Sequence, residues 1–174
     1  RVPTLAEVLE FCKGKAKVTI ELKYYGHDRQ LEQRVADVVE QAGMESDVVI
    51  ISLKQEGLQK MKQIRPEWET GLLTTVAIGD LSKVDADFLA VNASIATRSL
   101  IRSAHARGKK VLVWTVNDPI TMSTMIGRGV DGLITDKPAL AREVLETRNR
   151  LSTVERLLIE LASVLNVKRE VVEQ

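Results

Sequence analysis

The sequence has few of the residues that several functional classes require. Of its 174 residues only one is a cysteine, so a disulfide within the chain is excluded and a cysteine-based zinc site is not expected. Aromatic residues make up 3%, and 25 Lys and Arg nearly balance 24 Asp and Glu, which argues against nucleic-acid binding. No apolar run approaches the roughly 18 residues of a membrane span. What remains is an ordinary globular composition, long enough to bury a core.

The chain begins with Arg1 and lacks an initiator methionine, so we expect its natural N-terminus to lie elsewhere. No signal-peptide pattern is visible, and the single cysteine is compatible with a cytosolic protein. We therefore expect a cytoplasmic location, and a signal peptide or membrane domain upstream of Arg1 is left open. Cys12 falls on an apolar helical face, which favours a buried structural thiol over a nucleophile.

Short β-branched runs alternate with amphipathic stretches along the chain. The predicted strands are 18–22, 48–53, 71–76, 88–92, 111–116 and 132–135. The predicted helices are 4–11, 28–42, 55–64, 97–107, one from 117–119 to Gly129, and a last one capped by Asp136. Repetition of strand and helix in short units indicates βαβ crossovers and a parallel sheet.

The strand runs VVIISL and VLVW lack polar alternation, which is typical of parallel strands covered on both faces. An open doubly wound sheet and a closed (βα)8 barrel compete. The sequence contains neither a GxGxxG nor a Walker A pattern, which argues against nucleotide-binding open sheets. A helix that precedes the first strand favours an α/β fold of the TIM-barrel type in which the sequence begins after the first strands of the barrel. We expect six of the eight units, and hence an incomplete barrel, in residues 1–148.

Residues 149–174 are predicted to form a separate amphipathic helix and tail. An apolar stripe runs along it at helical spacing, with Ser152 or Thr153 as the expected cap. The stripe consists of Val154, Leu157, Leu158, Leu161 and Leu165. We interpret it as an extra helix packed on the barrel, with a dimerisation or docking helix as the alternative.

The run Ile20-Glu21-Leu22-Lys23 places a carboxylate and an ammonium two residues apart at a strand end. Residues i and i+2 of a strand share a face, and in a barrel this face is the interior near the mouth. A carboxylate there is costly unless it is paired or binds a metal. Glu21 and Lys23 are therefore either a simple ion pair or part of a site for a metal and a phosphate ester.

Other candidate residues are less informative. Trp114 ends a strand, where it either walls a substrate pocket or belongs to the core. The segment 129–138 carries turn chemistry and lies where barrels often bind phosphate through backbone donors. His27 and His105 have neither a cysteine nor a second histidine at ligand spacing, and we interpret both as incidental.

Four segments, taken in order, resemble the glycerophosphodiester phosphodiesterase family over residues 1–147. VPTLAEVL resembles the helix before the third strand of that barrel, and IELK resembles the third strand. VLVWTVND and GVDGLITDKP resemble the seventh and eighth strands with their flanks. The resemblance implies hydrolysis of glycerophosphodiesters to glycerol 3-phosphate and an alcohol, with Ca²⁺ or Mg²⁺ as cofactor. It also implies that Glu21 is a metal ligand, Lys23 contacts phosphate, and Trp114 lines the glycerol side.

The family's His-Arg-Gly motif, two further acidic ligands and second histidine belong to the first two strand regions, which this sequence does not contain. We therefore expect no catalytic acid or base within this chain, weak metal binding and little or no turnover. Two open strand edges, or the C-terminal helix, invite self-association. Two alternatives are a non-catalytic barrel remnant acting in assembly, and a barrel lyase with Lys23 as a Schiff-base lysine.

Overall fold

The computed structural model describes residues 1–25, 29–77, 79–152, 154, 155, 158 and 161. The strands are β1 (Val18–Glu21), β2 (Val48–Ser52), β3 (Thr70–Thr74), β4 (Phe88–Asn92), β5 (Lys110–Trp114) and β6 (Gly132–Leu133). The helices are α1 (Leu5–Cys12), α2 (Leu31–Ala42), α3 (Gln55–Ile64), α4 (Arg98–His105), α5 (Pro119–Arg128) and α6 (Pro138–Arg150). Strand and helix alternate, except that a single 3-10 turn at Leu81–Lys83 joins β3 to β4.

The six strands form one parallel sheet in the order of the chain, from β1 to β6. A doubly wound sheet reverses its strand order at a switch point, whereas successive neighbours that never reverse are the arrangement of a barrel wall. The predicted α/β fold, an incomplete TIM-type barrel of six strands, is confirmed.

The two faces of the sheet have different neighbours. Side chains such as Ile20, Ile50 and Leu89 point outward and form the larger core with the helices. Alternate residues form a smaller inner cluster, which contains Ile51, Leu73, Phe88 and Ala90. The strands are apolar on both faces because the outer face is covered by helices and the inner face would be the lumen of a barrel.

Two glycines make room for large side chains on the inner face. A Cβ atom on Gly71 would lie 2.2 Å from a ring carbon of Phe88, the residue that pairs with it on β4. A Cβ atom on Gly132 would lie 2.5 Å from Leu112 Cδ2 on β5. The Phe88 ring is 2% exposed, so it fills the inner face near the end where the strands begin.

Helix caps were predicted with mixed success. The side chains of Thr4 and Asp118 accept hydrogen bonds from the first turns of α1 and α5, and Asp118 matches the predicted start. The prediction that Asp136 caps α6 is wrong, because the N-cap is Lys137 and makes no side-chain cap bond. Asp136 Oδ2 instead accepts a hydrogen bond at 2.7 Å from Nδ2 of Asn117, which lies in the loop after β5.

The predicted C-terminal helix lies partly outside the described residues. Ser152 exchanges hydrogen bonds with Glu155, as in a capping box, and supports the expected start. Val154, Leu158 and Leu161 are helical and 66%, 60% and 55% exposed, while Thr153, Leu157 and Leu165 lie outside the described residues. The division into 1–148 and 149–174 stays a prediction. Among the described residues, no helix has the length and apolar character needed to cross a bilayer.

Candidate functional site at the strand exits

Glu21 is the last residue of β1 and lies on the inner face of the sheet. In the register of the sheet it pairs with Ile51, a member of the inner cluster. Lys23 follows two residues later, and its Nζ lies 3.3 Å from Glu21 Oε2. The side chains are 28% exposed for Glu21 and 53% exposed for Lys23. The two charges therefore meet at the mouth, where the strands end, and remain open to solvent.

The chain around this pair is tied to the neighbouring strand. The Leu22 amide donates to the Ile51 carbonyl at 2.8 Å, one residue beyond β1. Ser52, which is fully buried, donates from Oγ to the Leu22 carbonyl at 3.2 Å and accepts from the Lys54 amide at 3.0 Å. Sequence reasoning gave Ser52 no role, but a hydroxyl in an apolar strand at this exit was the signal available.

Trp114 occupies the same face at the exit of β5. It pairs with Asn92 at the end of β4, and its ring packs on the edge of the inner cluster. The indole Nε1 donates to the Ala90 carbonyl at 2.9 Å, so this hydrogen-bonding group is satisfied within the protein. What Trp114 presents toward the mouth is therefore a partly buried apolar ring surface. Three strands separate it from Glu21.

Asn117 organises the exits of β5 and β6, a role that the sequence analysis missed. Its Oδ1 accepts from Thr135 Oγ1 at 3.0 Å and from the Asp136 amide at 2.9 Å. The Lys137 amide donates to Thr135 Oγ1 at 3.0 Å. Two backbone donors of the segment expected to bind phosphate, those of Asp136 and Lys137, are thus already bonded within the protein.

Of the two histidines, only His105 lies within the described residues. His27 lies outside the described residues. His105, near the end of α4, places Nε2 2.8 Å from Asp131 Oδ2, and Asp131 also accepts from the Val111 amide at 2.7 Å. Although burial alone would raise it, these hydrogen bonds hold the pKa of Asp131 below its usual value. His105 is therefore part of a structural contact where β5 and β6 begin, far along the strands from the mouth.

Glu21 alone is not a complete metal site. Within the ranges 1–25, 29–77 and 79–152, no three His, Cys, Asp or Glu side chains come together in a way that could hold an ion. Calcium prefers six to eight oxygen ligands, and magnesium requires octahedral coordination. Glu21 already faces the Lys23 ammonium, and no group of three such side chains includes it in the part of the chain that the structure describes, so these residues do not by themselves fit a divalent ion.

A groove at the opposite end of the sheet is not a better candidate. It has a volume of about 480 Å³ and is lined mainly by charged side chains where β3, β4 and β5 begin. Two ion pairs lie within it, with Lys62 Nζ 2.8 Å from Asp87 Oδ2 and Lys110 Nζ 3.2 Å from Glu69 Oε1. Active sites of (βα)-barrel enzymes lie at the strand exits, which favours the mouth.

Six parallel strands in chain order, with helices on their outer face, place the chain among the (βα)-barrel proteins. Residues 1–140 match the model of the glycerophosphoryl diester phosphodiesterase family, and the chain belongs to that family. The resemblance seen in the sequence is thereby confirmed, and the family generally depends on a divalent metal ion.

Individual relatives agree with this assignment. The chain is 30% identical over 148 residues to a glycerophosphodiester phosphodiesterase of Caldanaerobacter subterraneus, covering 79% of this chain and 59% of that protein. A glycerophosphodiester phosphodiesterase structure from Parabacteroides distasonis superposes with a TM-score of 0.77 at 23% identity, over 85% of this chain and 66% of that chain. An Oleispira antarctica phosphodiesterase in complex with the product sn-glycerol-3-phosphate superposes with a TM-score of 0.76 at 22% identity, over 83% and 61%. The chain spans about three fifths of the length of the curated relatives that it matches.

Proposed function

We propose that these residues form the larger part of a metal-dependent glycerophosphodiester phosphodiesterase. The observation that carries the proposal is the Glu21–Lys23 pair, 3.3 Å apart and open to solvent at the exit of β1, in a chain of this family. The reaction is hydrolysis: a water oxygen bonds to phosphorus, the bond from phosphorus to the alcohol oxygen breaks, and the alcohol leaves with a proton. The products are glycerol 3-phosphate and the free alcohol.

Each candidate residue has a distinct role in this proposal. Lys23 contacts a phosphate oxygen, since its ammonium is a mobile point charge that is 53% exposed. Glu21 is one oxygen ligand of the divalent ion, Ca²⁺ or Mg²⁺, which would lower the charge repulsion at the phosphate. The Trp114 ring lines the glycerol side of the pocket. Binding of the ion would also require Lys23 to turn from Glu21 toward the substrate.

In this proposal, the remaining metal ligands and the catalytic acid and base come from residues that the structure does not describe. Among the described residues, no group of three His, Cys, Asp or Glu side chains could hold the ion together with Glu21. We therefore propose that this chain alone binds the ion weakly and turns over little or no substrate. The cytoplasmic location expected from the single cysteine stays a prediction.

The test is release of sn-glycerol 3-phosphate from glycerophosphocholine, with EDTA, with Ca²⁺ and with Mg²⁺. This chain is compared with the complete natural protein that contains it, and the Caldanaerobacter relative serves as the positive control. We expect activity in the complete protein that EDTA abolishes, and little or none in this chain. Lys23→Gln should lower the activity, whereas Lys17→Gln, an exposed lysine just before β1, should not.

Two results would contradict the proposal. Metal-dependent turnover by this chain alone would show that it contains its own acid and base, and His27 would then be examined first. Complete inactivity of the natural protein, beside an active relative, would favour the alternative of an assembly module. The exposed stripe of Val154, Leu158 and Leu161 supports that alternative, and a concentration-dependent mass in sedimentation would test self-association through it or the open sheet edges.

A further inference from the structure

Tyr24, directly after Lys23, makes a hydrogen bond that reaches into the helical layer. Its hydroxyl donates to Glu32 Oε1 at 2.8 Å, and Glu32 is only 2% exposed. A carboxylate in the first turn of a helix is ordinarily solvated, so one that is buried needs a donor. Burial in the first place, and then the bond to Glu32, raise the pKa of Tyr24, so its hydroxyl remains a proton donor at any physiological pH.

The Tyr24 ring is held between α2 and α3. Gly57, in the first turn of α3, leaves the space for it, because a Cβ atom there would lie 1.8 Å from the Tyr24 hydroxyl oxygen. The Lys54 ammonium lies 5.0 Å from the ring centroid, within the range of a cation–π contact. The Tyr24 side chain is therefore held by the hydrogen bond to Glu32, by close packing of its hydroxyl against Gly57 and by the cation–π contact with Lys54.

Lys23 is consequently anchored on both sides. Leu22, its other neighbour, is 3% exposed and bonds through its amide to Ile51 and through its carbonyl to Ser52. Leu22 and Tyr24 both pack on the core between sheet and helices. Because the residue between them takes the opposite side, the Lys23 side chain is directed to the mouth, where it meets Glu21.

We infer that Tyr24, with Glu32 as its acceptor, is a positioning residue for Lys23 in phosphate binding. The inference rests on the proposed function, since it assigns no contact with substrate to Tyr24 itself. The hydrogen bond fixes the backbone that carries Lys23, so the ammonium meets a phosphate without the cost of ordering a loose loop. Without it, Lys23 keeps its charge, but the backbone that carries it loses its fixed position.

The test compares binding of sn-glycerol 3-phosphate, by calorimetry, among variants of the complete natural protein. Tyr24→Phe keeps the ring and removes the hydroxyl, and we expect binding about three- to tenfold weaker. Tyr25→Phe is the matched control, since Tyr25 is the next residue and 86% exposed, and it should bind like the wild type. Glu32→Gln retains an acceptor oxygen and should preserve most of the affinity.

A thermodynamic cycle with Lys23 separates positioning from a general structural effect. If Tyr24 acts through Lys23, then Tyr24→Phe combined with Lys23→Ala should bind no more weakly than Lys23→Ala alone. Additive losses would overturn the inference, as would unchanged binding by Tyr24→Phe when Lys23→Ala weakens it. Unchanged binding by Lys23→Ala would overturn the proposed role of Lys23 itself, and the inference with it.

Hydrogen exchange provides a measurement that does not depend on a ligand. The amides of residues 22–25 should exchange about tenfold faster in Tyr24→Phe than in the wild type, because a local hydrogen bond opposes their opening. Tyr25→Phe should leave these rates unchanged. Equal rates in wild type and Tyr24→Phe would show that the hydroxyl does not fix this segment, and would overturn the inference even if the enzyme proves active.

Discussion

The two ends of the sheet use carboxylates in different ways. Where the strands begin, Asp87 and Asp131 each stand just before a strand and accept from the amide of a residue on the preceding strand, Thr70 and Val111. Each also contacts a cationic or basic side chain from a helix. At the mouth, Glu21 pairs with a lysine on its own chain segment. Asp87 and Asp131 thus join elements where the strands begin, whereas Glu21 at the mouth pairs within its own segment and remains open to solvent.

The contacts at the two ends should differ in how much they stabilise the fold, because they join residues at different separations in the sequence. Asp87 and Thr70 are 17 residues apart, and Asp131 and Val111 are 20 apart, so each bond closes a strand–helix or strand–turn unit. Glu21 and Lys23 are two residues apart on one strand end, and their contact closes no such unit. The long-range contacts should therefore stabilise the fold, while the local pair should contribute little.

The largest expected effect comes from the packing where the strands begin. Gly71→Ala places a Cβ atom 2.2 Å from the Phe88 ring, which is 2% exposed and has little room to move. We expect the free energy of unfolding to fall by about 1–3 kcal/mol, as for other overpacked cores. Urea denaturation followed by circular dichroism measures this change.

Phe88→Leu provides the control for that substitution. It removes the ring atoms that the new Cβ would meet, so Gly71→Ala should cost markedly less in the Phe88→Leu background than in the wild type. An equal cost in both backgrounds would mean that the backbone of β3, rather than the ring over Gly71, limits the residue at this position.

Asp87→Ala should have the next largest effect. Its Oδ2 accepts from the Thr70 amide at 2.7 Å, from Thr70 Oγ1 at 3.1 Å and from Lys62 Nζ at 2.8 Å. Loss of these bonds should lower the free energy of unfolding by about 1–2 kcal/mol. Asp85→Ala is the matched control, because Asp85 is exposed in the same loop and makes none of these three bonds. Similar stabilities of the two variants in urea would refute the role of Asp87 as a strand contact.

Lowering the pH should reduce the free energy of unfolding through Asp87 and Asp131, by less than the two substitutions above. Although burial alone would raise them, hydrogen bonds hold the pKa values of Asp87 and Asp131 below the usual value. Their contribution is fully present above the unfolded-state pKa of about 3.9 and is lost as the pH falls through the lower folded-state pKa. Because both are partly exposed, we expect less than about 1 kcal/mol from each. Asp87→Asn should flatten the decline in stability measured from pH 5 to 3.

Much of this fold follows from local sequence signals. The strand 88–92 and the helix 55–64 were predicted at the bounds that the structure has. Predicted strands such as 111–116 end later than the observed Lys110–Trp114, because apolar residues continue past Trp114 into the exit loop, where the Val116 amide still donates to the Ile134 carbonyl at 3.0 Å. Val116 illustrates the difference, since it is 1% exposed yet lies outside β5.

The site was only partly predictable, and the reason is its long-range bonds. Glu21 and Lys23 could be placed together because period-two alternation is local. Asp136 was assigned as a cap from its position before Pro138, but its bond to Asn117, 19 residues away, takes precedence. The bonds of Ser52 to Leu22 and of Tyr24 to Glu32 depend on how neighbouring units dock, which no local pattern specifies.

The smallest change in stability should come from the mouth itself. Glu21→Gln removes a charge that is 28% exposed and lies 3.3 Å from a lysine that is 53% exposed. Exposed pairs of this kind contribute about 0–1 kcal/mol, so we expect the free energy of unfolding in urea to change by less than about 0.5 kcal/mol. A loss above about 1 kcal/mol would make the pair a structural contact like those of Asp87. If stability is nearly unchanged and the complete natural protein loses metal-dependent turnover, Glu21 contributes to binding of the metal ion and not to the stability of the fold.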